Sequence, residues 1–269
     1  MHLSPPQLIS ELRRRLLRGE HLSLLGPRGS GKSTLLAVLH SRLVIAGIPC
    51  AYSNVTTSLD HITRALQRAY PGVRVAGITR RAARSRLWDA ADKSAGVLLL
   101  DHFSSVSNAM VFLLKRLHGG VMGVLTVVDI EVGRDRSRMR RPSRYGAMCI
   151  RMPLTPTRQL RRLLYEPRGG LALPPLAPSI VRELVQAARG RPGWIVKCTE
   201  LARESRYWCK HGLLVRTLCV DTEAAVRHCA LDLVRPATSE LDYPIDSGQS
   251  RTEGGSETSG LITPKQAGV

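Results

Sequence analysis

Residues 26–33 read Gly-Pro-Arg-Gly-Ser-Gly-Lys-Ser, a complete G-x-x-x-x-G-K-[ST] pattern. The spacing has a physical reason. Gly26, Gly29 and Gly31 permit backbone conformations and close approaches that a Cβ blocks. Pro27, Arg28 and Ser30 fill the turn, whose successive N–H groups point inward at phosphate oxygens. Lys32 is placed to reach β- and γ-phosphates, the Ser33 hydroxyl to ligate Mg²⁺, and Thr34 to open the following helix. Such a loop belongs between a buried strand and a helix N-terminus, whose dipole favours an anion. Both flanks fit: His21–Leu25 is a short apolar strand, and Thr34–Leu43 carries apolar residues at Leu35, Leu36, Val38, Leu39 and Leu43. The loop therefore predicts a nucleotide site built from Gly26 to Thr34.

Working outward, Pro5–Arg18 reads as a helix with Leu8, Ile9, Leu12, Leu16 and Leu17 on one stripe and prolines in its first turn. After the loop come a strand at Ile48–Tyr52, a helix at Leu59–Tyr70 and a basic helix at Arg80–Lys93. Gly96–Asp101 is a continuous apolar run ending in a carboxylate, as expected of a central parallel strand. A helix at Ser107–Leu117, a strand at Val121–Ile130 and a short strand at Met148–Met152 follow. Gly133–Tyr145 is a loop with six arginines. Helices without strands then succeed one another at Thr155–Tyr165, Pro178–Arg189, Trp194–Trp208 and Thr222–Val234. This order predicts an α/β class with a parallel sheet and an all-helical appendix. The expected divisions are an N-terminal helix at 1–20, a nucleotide-binding core at 21–153, a helical lid at 154–235 and a disordered tail at 236–269.

Asp101 is the natural partner of Ser33, because a Mg²⁺-bound nucleotide needs an acidic group at the end of an adjacent strand to orient the metal's water. Taken together, Gly26–Ser33 and Val97–Asp101 resemble the two site motifs of the AAA+ P-loop ATPases, and the resemblance runs over about residues 5–235. Within that family the chain looks most like helper ATPases of transposition or DNA loading, and secondarily like STAND-type signalling ATPases. The resemblance implies ATP and Mg²⁺ as ligands, a helical lid, and assembly into a homo-oligomer on ATP binding. It places a sensor at the end of the Val121–Ile130 strand, where Asp129 stands, and likens Gly190-Arg-Pro-Gly193 to the turn opening a lid helix. Two departures follow. His102 stands where the family has a water-polarising Glu, with Glu131 as an alternative base. Gly193 stands where the family has a sensor arginine, leaving Arg191 or Arg189 as candidates. Asp101, His102 and Asp129 are thus the candidate catalytic groups, and Arg134, Arg136 and Arg138 the candidate cations for a neighbour's γ-phosphate. The same arginine loop also reads as a DNA-backbone contact or a solvated basic surface.

The formal net charge is +19 over 269 residues. Ala237–Val269 carries a net of −3, so the remainder carries +22. Such a charge attracts phosphate polymers, and a nucleic acid joins a protein client as an expected partner. Aromatic residues make up 4% of the chain, too few for base-stacking platforms to be its main tool. No run of 18 uncharged apolar residues occurs and no secretory signal opens the chain, which predicts a cytoplasmic protein with no membrane contact. Six cysteines occur without a C-x-x-C; Cys198, Cys209, Cys219 and Cys229 fall near His211 and His228, at spacings that match no zinc module. Three functions remain open: an ATP-dependent switch on DNA or a DNA-bound protein with slow hydrolysis, a signalling module with little turnover, and a small-molecule kinase using the arginine loop as a lid.

Overall fold

The computed structural model describes residues 5–56, 58–103, 108–130, 146–165, 173–210 and 212–232. These belong to one compact unit, Met1–Val234; a second unit, Arg235–Val269, lies outside the described residues, as do the arginine loop at 131–145, Glu131 and His211.

Five strands form one sheet: β1 (His21–Gly26), β2 (Cys50–Ser53), β3 (Val97–Leu100), β4 (Gly123–Asp129) and β5 (Met148–Arg151). Their order is β2-β3-β4-β1-β5, and every pairing is parallel. Side chains alternate between faces along a strand, so a sheet covered on both sides needs apolar residues at every position. Val97-Leu-Leu-Leu100 meets that demand. Val97 and Leu99 join a core with α1 (Pro5–Leu16) and α2 (Lys32–Ile45), whose Leu12, Leu16, Leu36 and Leu39 are fully buried. Leu98 and Leu100 join the opposite core with α3 (Leu59–Ala69), α4 (Arg80–Lys93) and α5 (Asn108–Leu117). Each fully buried leucine contributes about 1.5–3 kcal/mol of hydrophobic stabilisation. One hydroxyl pair interrupts the apolar run: Ser23 Oγ and Thr126 Oγ1 lie 2.5 Å apart, buried between β1 and β4.

Connections from β1 and β4 leave in opposite directions, one toward β2 and the other toward β5 on the far side of β1. A parallel sheet opens a crevice outside the carboxyl ends of strands at such a divergence. The β1/β4 register sets Gly26 opposite Asp129 there, and Asp101 follows β3 at the same edge.

Helices α6 (Thr157–Tyr165), α7 (Pro178–Ala188), α8 (Pro192–Leu201) and α9 (Val215–Asp232) gather around a core of their own, centred on Trp194, Ile195, Cys198 and Tyr207. Here the structure departs from the sequence reading. The helix expected over Trp194–Trp208 ends at Leu201. A 3₁₀ turn (Ser205–Tyr207) and an antiparallel hairpin of β6 (Trp208–Cys209) and β7 (Gly212–Leu213) follow. Two aromatic groups hold the chain off the helix: Tyr207 is buried with its hydroxyl donating to Asp221 at 2.7 Å, and Trp208 Nε1 donates to the Ala202 carbonyl at 2.7 Å. The last helix starts at Val215, so Thr222 is mid-helix, its hydroxyl donating to the Leu218 carbonyl.

Candidate functional site

The phosphate loop begins where β1 ends. Gly29 and Gly31 have φ of +76° and +91°, the left-handed region open to glycine at little cost. A Cβ on Gly26 would lie 2.9 Å from Met152 Cβ, so that position also excludes a side chain. Gly31 is the N-cap of α2 and supplies no capping side chain. The first turn of any helix leaves N–H groups without intrahelical partners, and here no cap consumes them. With the helix dipole behind them they form an anion-binding end.

Lys32 is 5% exposed. Its Nζ donates to the carbonyls of Gly26 and Pro27, each at 2.8 Å, and pairs with Asp129 Oδ1 at 2.8 Å. Arg28 Nε lies 3.4 Å from the other oxygen of Asp129, and its guanidinium also donates to the Arg227 carbonyl of α9. One carboxylate thus faces both cations of the loop.

Asp101 is 1% exposed. Its Oδ1 accepts from the His102 N–H at 2.9 Å, and its Oδ2 faces the Tyr52 hydroxyl at 3.5 Å and His102 Nε2 at 3.8 Å. Burial, reinforced by the Asp101 charge, pushes the Tyr52 phenol up to about 12, so it stays a donor. The bonds Asp101 N–H to Ser53 O and Phe103 N–H to Val127 O flank a turn in which His102 takes φ +50°. A histidine there is strained by about 1–3 kcal/mol. Its carbonyl is held by the Thr56 hydroxyl at 3.1 Å, and its side chain lines the cavity beside Lys32, Ser33, Thr34 and Asp129. Asp101 lies behind these residues. Ser33 in the cavity and the nearby carboxylate of Asp101 are oxygen donors of the kind a hydrated Mg²⁺ would take.

The helical cluster supplies the other wall. Gly193, Val196, Lys197 and Glu200 of α8 and Val226 of α9 complete a cavity of about 440 Å³. Lys197 reaches Glu200 at 2.9 Å, one helical turn on. Sequence reasoning missed Lys197; the available signal was its position one turn past Gly193. Arg191 is placed differently: its guanidinium binds Glu223 at 2.8 Å and the Ala187 and Ala188 carbonyls, inside the helical cluster. Hydrogen bonding from Arg191 holds the Glu223 carboxyl below its ordinary range. Arg189 caps α7 in the left-handed region and is exposed.

A second cavity of about 460 Å³ lies on the other flank of the loop. It is mostly apolar, lined by Leu8, Pro27, Ile130, Ile150, Met152 and Leu154.

Arg134, Arg136 and Arg138 lie outside the described residues. Among the described residues no cluster of His, Cys, Asp and Glu could hold a metal ion, and no helix is long and apolar enough to cross a membrane. Burial pushes the Cys198 thiol up to about 12, the behaviour of a core residue. Cys209 is exposed on the hairpin; the side chains of His228 and Cys229 lie outside the described residues.

No protein-family model matches the chain, and no curated protein matches it significantly. Solved structures do. Cdc6p from Pyrobaculum aerophilum is 16% identical with a TM-score of 0.51, over 75% of this chain and 62% of that one. ORC1 from Aeropyrum pernix, in complex with DNA, is 20% identical with a TM-score of 0.47, over 81% and 65%. AMPPCP-bound DnaA from Aquifex aeolicus is 14% identical with a TM-score of 0.46, over 73% and 59%. The chain therefore spans about three fifths to two thirds of the length of these proteins. The likeness to Cdc6p bears out the expected α/β class, a parallel sheet flanked by helices with the phosphate loop at the divergence of β1 and β4.

Proposed function

We propose that this protein is an ATP-binding switch of the AAA+ type that acts on DNA or on a DNA-bound protein and hydrolyses ATP slowly. The observation that carries the reading is the seat of Lys32: a buried ammonium at an uncapped helix start, facing a cavity whose far wall belongs to the helical cluster.

In this reading the N–H groups of Gly29 and of Gly31 to Thr34 hold the β-phosphate, and Lys32 bridges the β- and γ-phosphates. Ser33 and Asp101 would hold Mg²⁺, which would supply positive charge against that developing on the phosphates. His102 accepts a proton from the attacking water, and Asp101 orients its ring; an imidazole in a glutamate's place accounts for the slow rate. Lys197 approaches the phosphates from the lid, and the apolar cavity at Leu8, Ile130 and Leu154 receives the base. The DNA contact is assigned to the lobe of α3 and α4, where Arg64, Arg68, Arg74, Arg80, Arg81 and Arg86 are all exposed. Self-assembly on ATP, through Arg134, Arg136 and Arg138 of a neighbouring copy, and a cytoplasmic location complete the proposal.

The test is calorimetric. Wild type binds Mg-ATP and Lys32→Ala loses most of that affinity; equal affinity in the two places the site elsewhere. A second reading is favoured by His102: a signalling module that holds nucleotide with little turnover. Phosphate release that stays at background in wild type and in His102→Glu, with ATP bound, selects it.

A further inference from the structure

We infer that Asp129 makes this site discriminate against a nucleoside triphosphate in favour of the diphosphate, by holding the two loop cations that the third phosphate needs. The inference rests on the nucleotide reading above and assigns a specificity to one residue of that site.

An ammonium has three N–H donors. Those of Lys32 have three close acceptors at 2.8 Å: the Gly26 carbonyl, the Pro27 carbonyl and Asp129 Oδ1. The two carbonyls belong to the loop itself. Asp129 is the partner an incoming phosphate can replace. Arg28, the other cation of the loop, sits on the second oxygen of the same carboxylate. The carboxylate cannot retreat far, because it ends β4 in register with Gly26, where β1 passes into the loop.

The direction of the effect follows from the layout. A β-phosphate lies over the start of α2, within reach of the N–H groups of the loop, and leaves Asp129 its contact with Arg28. The third phosphate extends from there toward the ends of β4 and β3, the wall formed by Asp129 and His102. It stands there beside a carboxylate of its own sign, a position the β-phosphate over the start of α2 does not take. Two like charges within about 4–6 Å disfavour each other by one pKa unit or more, which corresponds to at least tenfold in a binding constant. Arg28 moderates this repulsion, since it can keep Asp129 paired while Lys32 turns to the phosphate. Arg28 is in turn tied to the Arg227 carbonyl of α9, so the moderation depends on the helical cluster staying seated.

The experiment compares ATP and ADP dissociation constants by calorimetry, at fixed ionic strength, with and without Mg²⁺, for wild type, Asp129→Asn and Arg28→Ala. Melting curves confirm that each variant folds. Asp129→Asn keeps the shape and removes the charge. It is expected to tighten ATP by tenfold or more and ADP by less than threefold. Arg28→Ala is expected to widen the preference for ADP. If ATP and ADP shift equally in Asp129→Asn, or neither shifts, the inference is overturned while the nucleotide site stands. If ATP weakens only in the presence of Mg²⁺, Asp129 serves the metal, and the inference is overturned. If wild type binds neither nucleotide, the nucleotide reading itself fails and takes this one with it.

Discussion

The backbone N–H of Gly193 donates to the carbonyl of Gly29 at 2.8 Å, joining the first turn of α8 directly to the phosphate loop. A side chain there would crowd the loop. A Cβ on Gly193 would lie 3.0 Å from that carbonyl oxygen and 3.1 Å from Gly29 Cα. Gly193→Val should therefore push α8 off the loop. Overpacking of this kind costs about 1–3 kcal/mol, which for a chain this size lowers Tm by several degrees. Thermal melting and ATP titration are the readouts, and both should fall. A variant with unchanged Tm and affinity would mean the two turns separate freely.

The turn at His102 leads to a paired prediction. A non-glycine residue at φ +50° is strained, and glycine relieves that strain. His102→Gly should raise stability by about 1 kcal/mol in denaturant titrations while abolishing phosphate release. His102→Glu should instead raise the turnover rate. Loss of stability in the glycine variant would show that the ring contributes more through packing than its backbone costs.

Acid sensitivity should come from His21. It is buried at the start of β1 and stacked on His118, with ring centroids 4.9 Å apart. Burial first, then the neighbouring imidazole, lowers its pKa from 6.5 to about 4. Between those values the unfolded chain binds the extra proton, so stability falls as pH drops from 6.5 toward 4. The loss is on the order of 2 kcal/mol, visible in urea midpoints. His21→Leu should flatten that slope. An unchanged slope would assign the effect to other groups.

Within the helical cluster, Glu223 receives Arg191 at 2.8 Å and Trp194 Nε1 at 3.2 Å. Glu223→Ala leaves the mostly buried guanidinium of Arg191 without its counter-charge. The expected cost is about 1–3 kcal/mol, part of it screened because Glu223 is a third exposed. The wild-type contribution is present above the ordinary glutamate pKa and disappears as pH falls through the lowered one. Arg191→Lys should recover little, since it loses the two-nitrogen contact.

The α3–α4 lobe is tested by salt. Each phosphate contact contributes about 0.9 to the slope of log K against log salt. Neutralising Arg80, Arg81 and Arg86 together should lower the slope for duplex DNA by one to three units. Absence of DNA binding at low salt would favour the signalling reading.

Elements with a local signature were legible in the sequence. The phosphate loop shows its glycines, and Val97–Leu100 shows a run that only a doubly covered strand tolerates. Asp129 was legible as the polar end of a strand, but its contact with Lys32 was not, because it depends on β4 lying next to β1 across about a hundred residues of chain. The β6–β7 hairpin was hidden for another reason. Trp194 to Trp208 has apolar spacing compatible with a helix, and what stops the helix is a pair of hydrogen bonds, Tyr207 to Asp221 and Trp208 to Ala202, made after folding. Lys197 and Val226 line the cavity only because α8 and α9 dock there, and the pairing of Arg191 with Glu223 joins two different helices, neither of which a local pattern announces.

The hydroxyl pair of Ser23 and Thr126 touches no part of the cavity, yet it calibrates it. Between His21 and Gly26 at its ends, β1 otherwise meets β4 through interchangeable aliphatic side chains, Leu22, Leu24 and Leu25 against Leu125, Val127 and Val128, which would accept more than one alignment. Sliding one strand by a single residue would turn each hydroxyl away from its mate and leave it among leucines, at about 1–3 kcal/mol apiece. It would also carry Asp129 about 3.3 Å along its strand, out of reach of Lys32. Two small polar side chains three residues upstream of Gly26 and Asp129 thus act as a key in a keyway, and the separation of opposite charges at the phosphate loop is set deep inside the sheet.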